Sequence, residues 1–249
     1  MTSTRGFHGL RALYKRELSG YFNTPLALVF MIIFVALSGA LTFYLGNFYD
    51  RRQADLLPFF QFHPWLYLFL LPALAMRLWA EERRSGTLEL LMTLGIPSYQ
   101  LVLGKFLAAW TFAGLALVLT FPLWVTVNYL GDPDNAAIVT SYLGSWLMAG
   151  AYLAISQCLS VLTRSQVIAF ILAVAVCFVL TLSGFPMVLD AFQSWAPGAL
   201  VDAVASLSLM THFEGLSRGV ITFSDVWFFA VTMAVWLLAN RCLLDMKKA

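Results

Sequence analysis

The sequence predicts an all-α membrane protein with six transmembrane helices, an amphipathic interfacial helix before the first, and a short helix between the second and the third. The chain has 249 residues, of which 61% are hydrophobic and 11% are charged. Soluble domains have about 45–50% apolar and about 25% charged residues. An excess of this size would leave large apolar patches facing water, so the composition favours a lipid environment.

Long apolar runs mark the expected spans, because the hydrocarbon core of a bilayer takes about 20 helical residues to cross. The predicted spans are residues 26–46, 56–80, 106–131, 138–163, 165–185 and 224–244. In the last of them Arg241 lies near the end, where a long side chain can reach the headgroups.

The Lys and Arg residues are distributed unequally between the loops. Six spans place both termini on one side, and twelve of the fifteen Lys and Arg residues fall on that side. Arg51, Arg52 and Arg218 fall on the other. Because short cytoplasmic loops carry the excess of Lys and Arg, we expect a multi-pass protein of the bacterial inner membrane with both termini in the cytosol.

Residues 1–25 are predicted to form the interfacial helix, which Pro25 separates from the first span. Apolar side chains recur there at helical spacing: Phe7, Leu10, Tyr14, Leu18 and Tyr21. The cations of this segment fall largely on the remaining face. A basic amphipathic helix of this kind is expected to place its apolar face in the acyl boundary and its cations at anionic headgroups.

Residues 186–223 are neither a clean span nor a polar loop, since Pro186, Pro197 and Gly198 interrupt them. We expect re-entrant or interfacial helices at the outer leaflet. A possible outer-face site lies here, formed by His212, Glu214 and Arg218. No metal site is expected, because neither His63 nor His212 has a Cys or second His at ligand spacing.

Residues 81–106, EERRSGTLELLMTLGIPSYQLVLGKF, predict a short helix on the cytosolic side. Gly86 interrupts the preceding helix, Gly95 is placed to cap the next one, and Pro97 prevents its continuation. About eight residues at 1.5 Å each cannot cross a membrane. An ordinary solvated turn remains the alternative, with a weak Arg77–Glu81 pair and with Glu82 and Arg83 merely flanking a span.

The same segment resembles the permeases of ABC-2 type transporters. The resemblance is carried by Glu81, Glu82, Gly86, Thr87, Leu88, Glu89, Leu90, Leu91, Pro97, Gly104 and Lys105. It implies that residues 1–249 form a single ABC-2 type transmembrane domain and that residues 86–95 are the coupling helix, which docks on an ATP-binding subunit. Residues 206–229 further resemble the gliding-motility-associated permeases.

The resemblance implies partners that supply the energy. They are two copies of an ABC ATPase, which bind ATP and Mg, a second copy of this permease or a similar one, and a periplasmic accessory subunit. This chain itself shows no phosphate-binding loop, because Gly104 and Lys105 have no Gly at 99 and no Ser or Thr at 106. We therefore expect a non-catalytic chain without a cofactor.

Three functions stay open at this point. The first is a permease that moves a bulky or amphiphilic substrate, and the second is a membrane anchor that passes force from the ATPase to a periplasmic partner. The third is an intramembrane protease with paired glutamates, Glu81 and Glu82. Against the third, Thr87 occupies the place where such enzymes have an Arg, and the later predicted spans carry no His.

Overall fold

The computed structural model describes residues 3–51, 53–89, 96–193 and 197–247, and these form helices and connecting turns without a strand. The first half contains α1 Ser3–Phe22, α2 Pro25–Ala40, α3 Leu57–Gln61, α4 His63–Ala75 and α5 Arg77–Ser85, with a π-helical turn, Leu41–Leu45, after α2. The second half contains α6 Ser98–Val118, α7 Phe121–Leu130, α8 Asn135–Ser160, α9 Gln166–Leu182, α10 Pro186–Gln193, α11 Gly198–Ser206, α12 Leu209–Ser217 and α13 Phe223–Met246. The all-α prediction is confirmed.

Within the part of the chain that the structure describes, four helical stretches are long and apolar enough to cross a membrane: Ala27–Leu45, Ser98–Leu130, Asn135–Ser160 and Phe223–Met246. The fifth predicted span corresponds to α9, an apolar helix of 17 residues. The second is divided among α3, α4 and α5. Pro58 and Pro64 lie in the first turns of α3 and α4, where proline favours a helix start.

The third span begins earlier than predicted. Its helix starts at Ser98, directly after Pro97 at the N-cap position, and not at residue 106. Lys105 therefore lies inside α6, and its side chain is only 3% exposed. The prediction failed because we did not expect a buried lysine within an apolar helix. A lysine is tolerated there only when an anion compensates its charge.

The helix α8 forms the centre of the bundle and packs against α4, α6, α9, α12 and α13. At the contact with α6, the rings of Trp110 and Trp146 stack with their centroids 4.2 Å apart. Each indole N–H donates to the backbone carbonyl of the other tryptophan, at 2.8 and 3.4 Å. Gly150 makes room for this contact, because a Cβ there would lie 2.5 Å from Met233 Sδ and 3.0 Å from Trp110 Nε1.

The contacts at the helix ends define two ends of the bundle. At one of them, which we call the α1 end, Arg16 of α1 lies near Glu82, Arg83 donates to the backbone carbonyl of Val161, and the Ser98 hydroxyl donates to Asp245 Oδ1 at 2.6 Å. The other end is formed by the turns around residues 55–57, 131–137 and 217–219, which line one small cavity or touch one another. The first and last helices thus meet at the same end.

The helix α1 packs along α6, which corrects the expectation that its apolar face lies in lipid. Leu13 is buried against Gly104, and the ring of Tyr21 stacks on that of Phe112 at 5.0 Å. The hydroxyl of Tyr14 donates to Thr111 Oγ1 at 3.1 Å. The absence of a side chain at Gly104 lets α1 approach, so protein contacts cover a face that the sequence pattern assigns to the membrane.

Replacing Gly150 by Val is expected to lower the free energy of unfolding by about 1–3 kcal/mol, because the new methyl groups would overlap Met233 and the Trp110 ring. The thermal unfolding midpoint of the purified protein in detergent measures the effect. Gly39→Ala is the matched control, since a Cβ at this helical glycine meets nothing within 4 Å. Equal midpoints for the two variants would contradict the packing described for α8.

Candidate functional site

A buried lysine joins two carboxylates at the α1 end. The ammonium of Lys105 lies 2.7 Å from Glu82 Oε1 and 3.1 Å from Glu17 Oε2. Arg16 adds a second cation, 2.5 Å from Glu17 and 3.8 Å from Glu82. We call these four residues the Lys105 cluster. The ring of Trp79 lies beneath the ammonium, 5.3 Å from it, and adds a cation–π contact.

Three separate segments of the chain supply the Lys105 cluster. Lys105 belongs to α6, Glu17 and Arg16 belong to α1, and Glu82 belongs to α5. The helix α5 ends at Gly86, which has a φ of +74° and therefore suits glycine. The Lys105 cluster thus connects α5, the helix before the predicted coupling segment, directly to α1 and to the long apolar helix α6.

The two carboxylates of the cluster experience different surroundings. Burial acts to raise the pKa of Glu17, but the charges of Lys105 and Arg16 outweigh it and hold the pKa below its usual value. Burial raises the pKa of Glu82, and the negative charge of Glu17 adds to this, so the attraction of Lys105 does not cancel the shift. Glu17 is therefore the firmly ionised partner, and Glu82 is the carboxylate that takes up a proton more readily.

A polar cleft of about 440 Å³ lies between α1 and α5 beside the cluster. Besides the Lys105 cluster, its walls include Tyr21, Arg77, Glu81 and Thr87. Burial raises the pKa of Tyr21, so its hydroxyl stays protonated at neutral pH. The cleft therefore presents charged and hydrogen-bonding groups between the two helices that the cluster joins.

The residues predicted to couple to an ATPase separate into an inner and an outer group. Glu82, Leu88 and Lys105 face the protein. Glu81, Gly86, Thr87 and Glu89 are exposed. Pro97 is the N-cap of α6, while Leu90 and Leu91, with the rest of residues 90–95, lie outside the described residues. Among the described residues of this set, the outer group and Pro97 are exposed and available to a partner protein.

The local contacts around Gly86 agree with a helix end. Arg77 and Glu81 form the expected i,i+4 pair at 3.4 Å. The hydroxyls of Ser85 and Thr87 lie 2.9 Å apart, and Ser85 also donates to the carbonyl of Glu81. The chain resumes a helical conformation at residues 87–89. The predicted break at Gly86 is therefore confirmed.

The idea that Glu82 and Arg83 merely flank a span is wrong. Glu82 is bound to Lys105, and Arg83 donates to the carbonyl of Val161 at 2.6 Å. Reasoning from the sequence also missed Arg16 and Glu17. One signal was available, because Glu17 is the sole acidic residue of an otherwise basic helix, and an isolated carboxylate in that setting indicates a cationic partner.

The residues of the predicted outer-face site lie at the end of the bundle opposite α1. His212 stacks on Phe228 at 4.0 Å, and its Nδ1 lies 2.7 Å from Asp225 Oδ1. Its Nε2 lies 3.1 Å from the carbonyl of Ser206. Glu214 and Arg218 form an exposed pair at 3.8 Å. Both ring nitrogens of His212 thus have protein partners, and a ligand site at these residues stays a prediction.

The paired glutamates and the histidines do not form a catalytic arrangement. Glu81 and Glu82 contact Arg77 and Lys105. His63 is buried, where its Nδ1 lies 2.9 Å from Ser145 Oγ. Within the described ranges, no three His, Cys, Asp or Glu side chains are grouped as metal ligands would be. These contacts give the protease hypothesis no support.

Comparison with known proteins gives one family. A profile described as ABC-2 family transporter protein matches residues 11–240, which run from the middle of α1 to within two turns of the end of α13. No curated protein gives a significant match. The matched range includes every residue of the Lys105 cluster.

Replacing Lys105 by Met is expected to lower the free energy of unfolding by about 3–5 kcal/mol, because it leaves two largely buried carboxylates with Arg16 as the only remaining cation of the cluster. Thermal unfolding in detergent measures the loss. Adding Glu82→Gln to the Lys105→Met variant removes one of the two buried negative charges. The double variant should therefore recover part of the lost free energy of unfolding.

Glu81→Gln is the matched control for this series, because Glu81 is the exposed neighbour of Glu82 and makes only a surface pair. Its expected effect is below about 0.5 kcal/mol. If Lys105→Met were no less stable than Glu81→Gln, the Lys105 cluster would not be the interaction that holds α1 and α5 together.

Proposed function

The chain belongs to the ABC-2 family of transporter proteins, as the membrane-spanning permease subunit that works with a partner ATPase, and from this premise we propose that residues 86–95 are its coupling helix. The observation that carries the proposal is the Lys105 cluster. It attaches the helix leading into residues 86–95 to α1 and α6 by ion pairs of 2.7 and 3.1 Å. A displacement applied at residues 86–95 would therefore move these helices together.

In this proposal the α1 end faces the cytosol and six spans cross the inner membrane. The excess of Lys and Arg in the segments at the α1 end supports this orientation. The second span, residues 56–80, would consist of α3, α4 and the first turn of α5, and the fifth of α9 with the residues beside it. The short helices α10–α12, of eight or nine residues each, would lie at the outer leaflet.

The surface that meets the ATPase would be the exposed outer group, Glu81, Gly86, Thr87 and Glu89. Glu89 is the most informative of these residues, since it is exposed and has no ion-pair partner within 4.0 Å among the described residues. Glu82 is unsuitable for testing the contact, because changing its charge would also break the Lys105 cluster. A change at Glu89 would therefore test docking without breaking the Lys105 cluster.

The substrate in this proposal is a bulky or amphiphilic molecule, moved by ATP hydrolysis in the partner. A mostly apolar cavity of about 470 Å³ at the end opposite α1 supports an amphiphile, with Trp227, Phe228 and Trp236 in its walls and His212 at its polar edge. A second permease copy, a periplasmic accessory subunit and membership of the gliding-motility-associated subgroup remain predictions of the sequence. A force-transmitting anchor would use the same coupling helix.

Glu89→Lys is expected to weaken binding of the ATPase at least tenfold, because a reversed charge at a complementary interface costs several kcal/mol. Binding is measured with the permease in nanodiscs and the purified ATPase, together with permease-stimulated ATP hydrolysis. Glu214→Lys is the matched control, as an exposed glutamate at the opposite end. Unchanged binding by Glu89→Lys, or an equal loss with Glu214→Lys, would refute the docking surface.

The orientation is tested with single cysteines at positions 89 and 214 and a membrane-impermeant maleimide. The exposed Cys242 is first replaced by Ser, whereas Cys158 and Cys177 are buried and can stay. In intact cells with a permeabilised outer membrane, Glu214→Cys should react and Glu89→Cys should not, and inverted vesicles should give the reverse. Labelling of Glu89→Cys from outside would overturn the topology.

A further inference from the structure

A second group of cations lies at the α1 end, apart from the Lys105 cluster. Arg83 of α5, Arg164 of the turn between α8 and α9, and Lys247 after α13 line a cavity of about 200 Å³, which we call the Arg164 pocket. Arg83 donates to the carbonyl of Val161 at 2.6 Å, and the Lys247 ammonium donates to the same oxygen. Three distant segments thus bring their positive charges to one place.

The positive charge of the Arg164 pocket is not neutralised by the described part of the chain. None of its three cations has a carboxylate within 4.0 Å there, although Glu89 also lines the cavity. Burial lowers the pKa of Arg83, and repulsion from Arg164 lowers it further. Burial and repulsion from Arg83 likewise lower the pKa of Lys247. An anion bound between these side chains would relieve the repulsion.

The neighbourhood of the Arg164 pocket combines charge with an apolar surface. The helix α9 begins at Gln166, and Val167, Ile168 and Ile171 are all more than half exposed. Exposed aliphatic side chains starting three residues after Arg164 place the pocket at the boundary between hydrocarbon and headgroups. An amphiphilic anion fits both parts, since its charged group would meet the cations and its chains would cover α9.

We propose that the Arg164 pocket binds the headgroup phosphate of an anionic phospholipid, with the acyl chains along the start of α9. Basic pockets between transmembrane helices are suited to such headgroups. An acidic side chain of a soluble partner would satisfy the charge but would leave the aliphatic surface of α9 uncovered. Because Gly86, Leu88 and Glu89 also line the pocket, the lipid would contact the first residues of the proposed coupling helix.

The test uses the full-length protein in phosphatidylcholine nanodiscs and measures the uptake of phosphatidylglycerol by native mass spectrometry, with phosphatidylethanolamine as the zwitterionic comparison. Arg164→Gln and Lys247→Gln should each weaken phosphatidylglycerol binding about fivefold, the effect of one cation at an anionic surface. Arg84→Gln is the matched control, because Arg84 is an exposed cation of the same helix as Arg83 and does not line the pocket.

Selective retention of phosphatidylglycerol by the wild type and by Arg84→Gln, with loss in the two pocket variants, supports the proposal. An equal loss in Arg84→Gln would indicate general surface charge and would overturn it. Displacement of the lipid by millimolar inorganic phosphate would overturn it in favour of a soluble anion. If Arg164→Gln and Lys247→Gln bound phosphatidylglycerol normally but bound the ATPase more weakly, the proposal would be overturned and the pocket would belong to the contact with the protein partner. The lipid measurement needs no ATPase, so it is independent of the coupling proposal.

Discussion

One buried lysine determines how the α1 end of this protein is assembled. A lysine inside an apolar helix is strongly disfavoured unless an anion accompanies it, and here the anions come from two other helices. The position of α1 is fixed because Glu17 must reach Lys105, and the position of α5 is fixed because Glu82 must reach the same ammonium. Removing the lysine would leave Arg16, 2.5 Å from Glu17 and 3.8 Å from Glu82, as the remaining cation of the cluster and would break the link to α6. The ion pairs thus add to the apolar contacts among these three helices.

The rest of the bundle is held together by close side-chain packing around α8. The central helix α8 contacts helices on all sides, and its packing relies on stacked aromatic rings and on glycines that admit them. Polar side chains inside the bundle hydrogen-bond locally, as Ser145 does with His63 and Tyr67. The ionic contacts are concentrated at the ends. In the proposed function, a displacement at one end would pass along helices whose close packing leaves little room for adjustment.

The sequence predicted the helical class, the break at Gly86 and the position of most apolar segments, because each depends on local chemistry: hydropathy over about 20 residues, and a residue that tolerates a positive φ. It did not predict the ion pairs of Lys105 and Glu82. Those depend on which helices meet, and the charge pattern of α5 alone could not distinguish an inward glutamate at 82 from an outward one at 81. The face of α1 was assigned to lipid for the same reason, since spacing identifies an apolar face but not what covers it.

Hydrogen exchange of the backbone amides measures most directly whether α1 and α5 behave as one unit through Lys105 in the intact protein. Wild type and Lys105→Met are compared in nanodiscs. We expect amides in residues 9–22 and 77–85 to exchange at least about tenfold faster together in the variant, while those of α8 keep their protection. Faster exchange confined to the α6 residues around position 105, with α1 and α5 unchanged, would contradict this expectation.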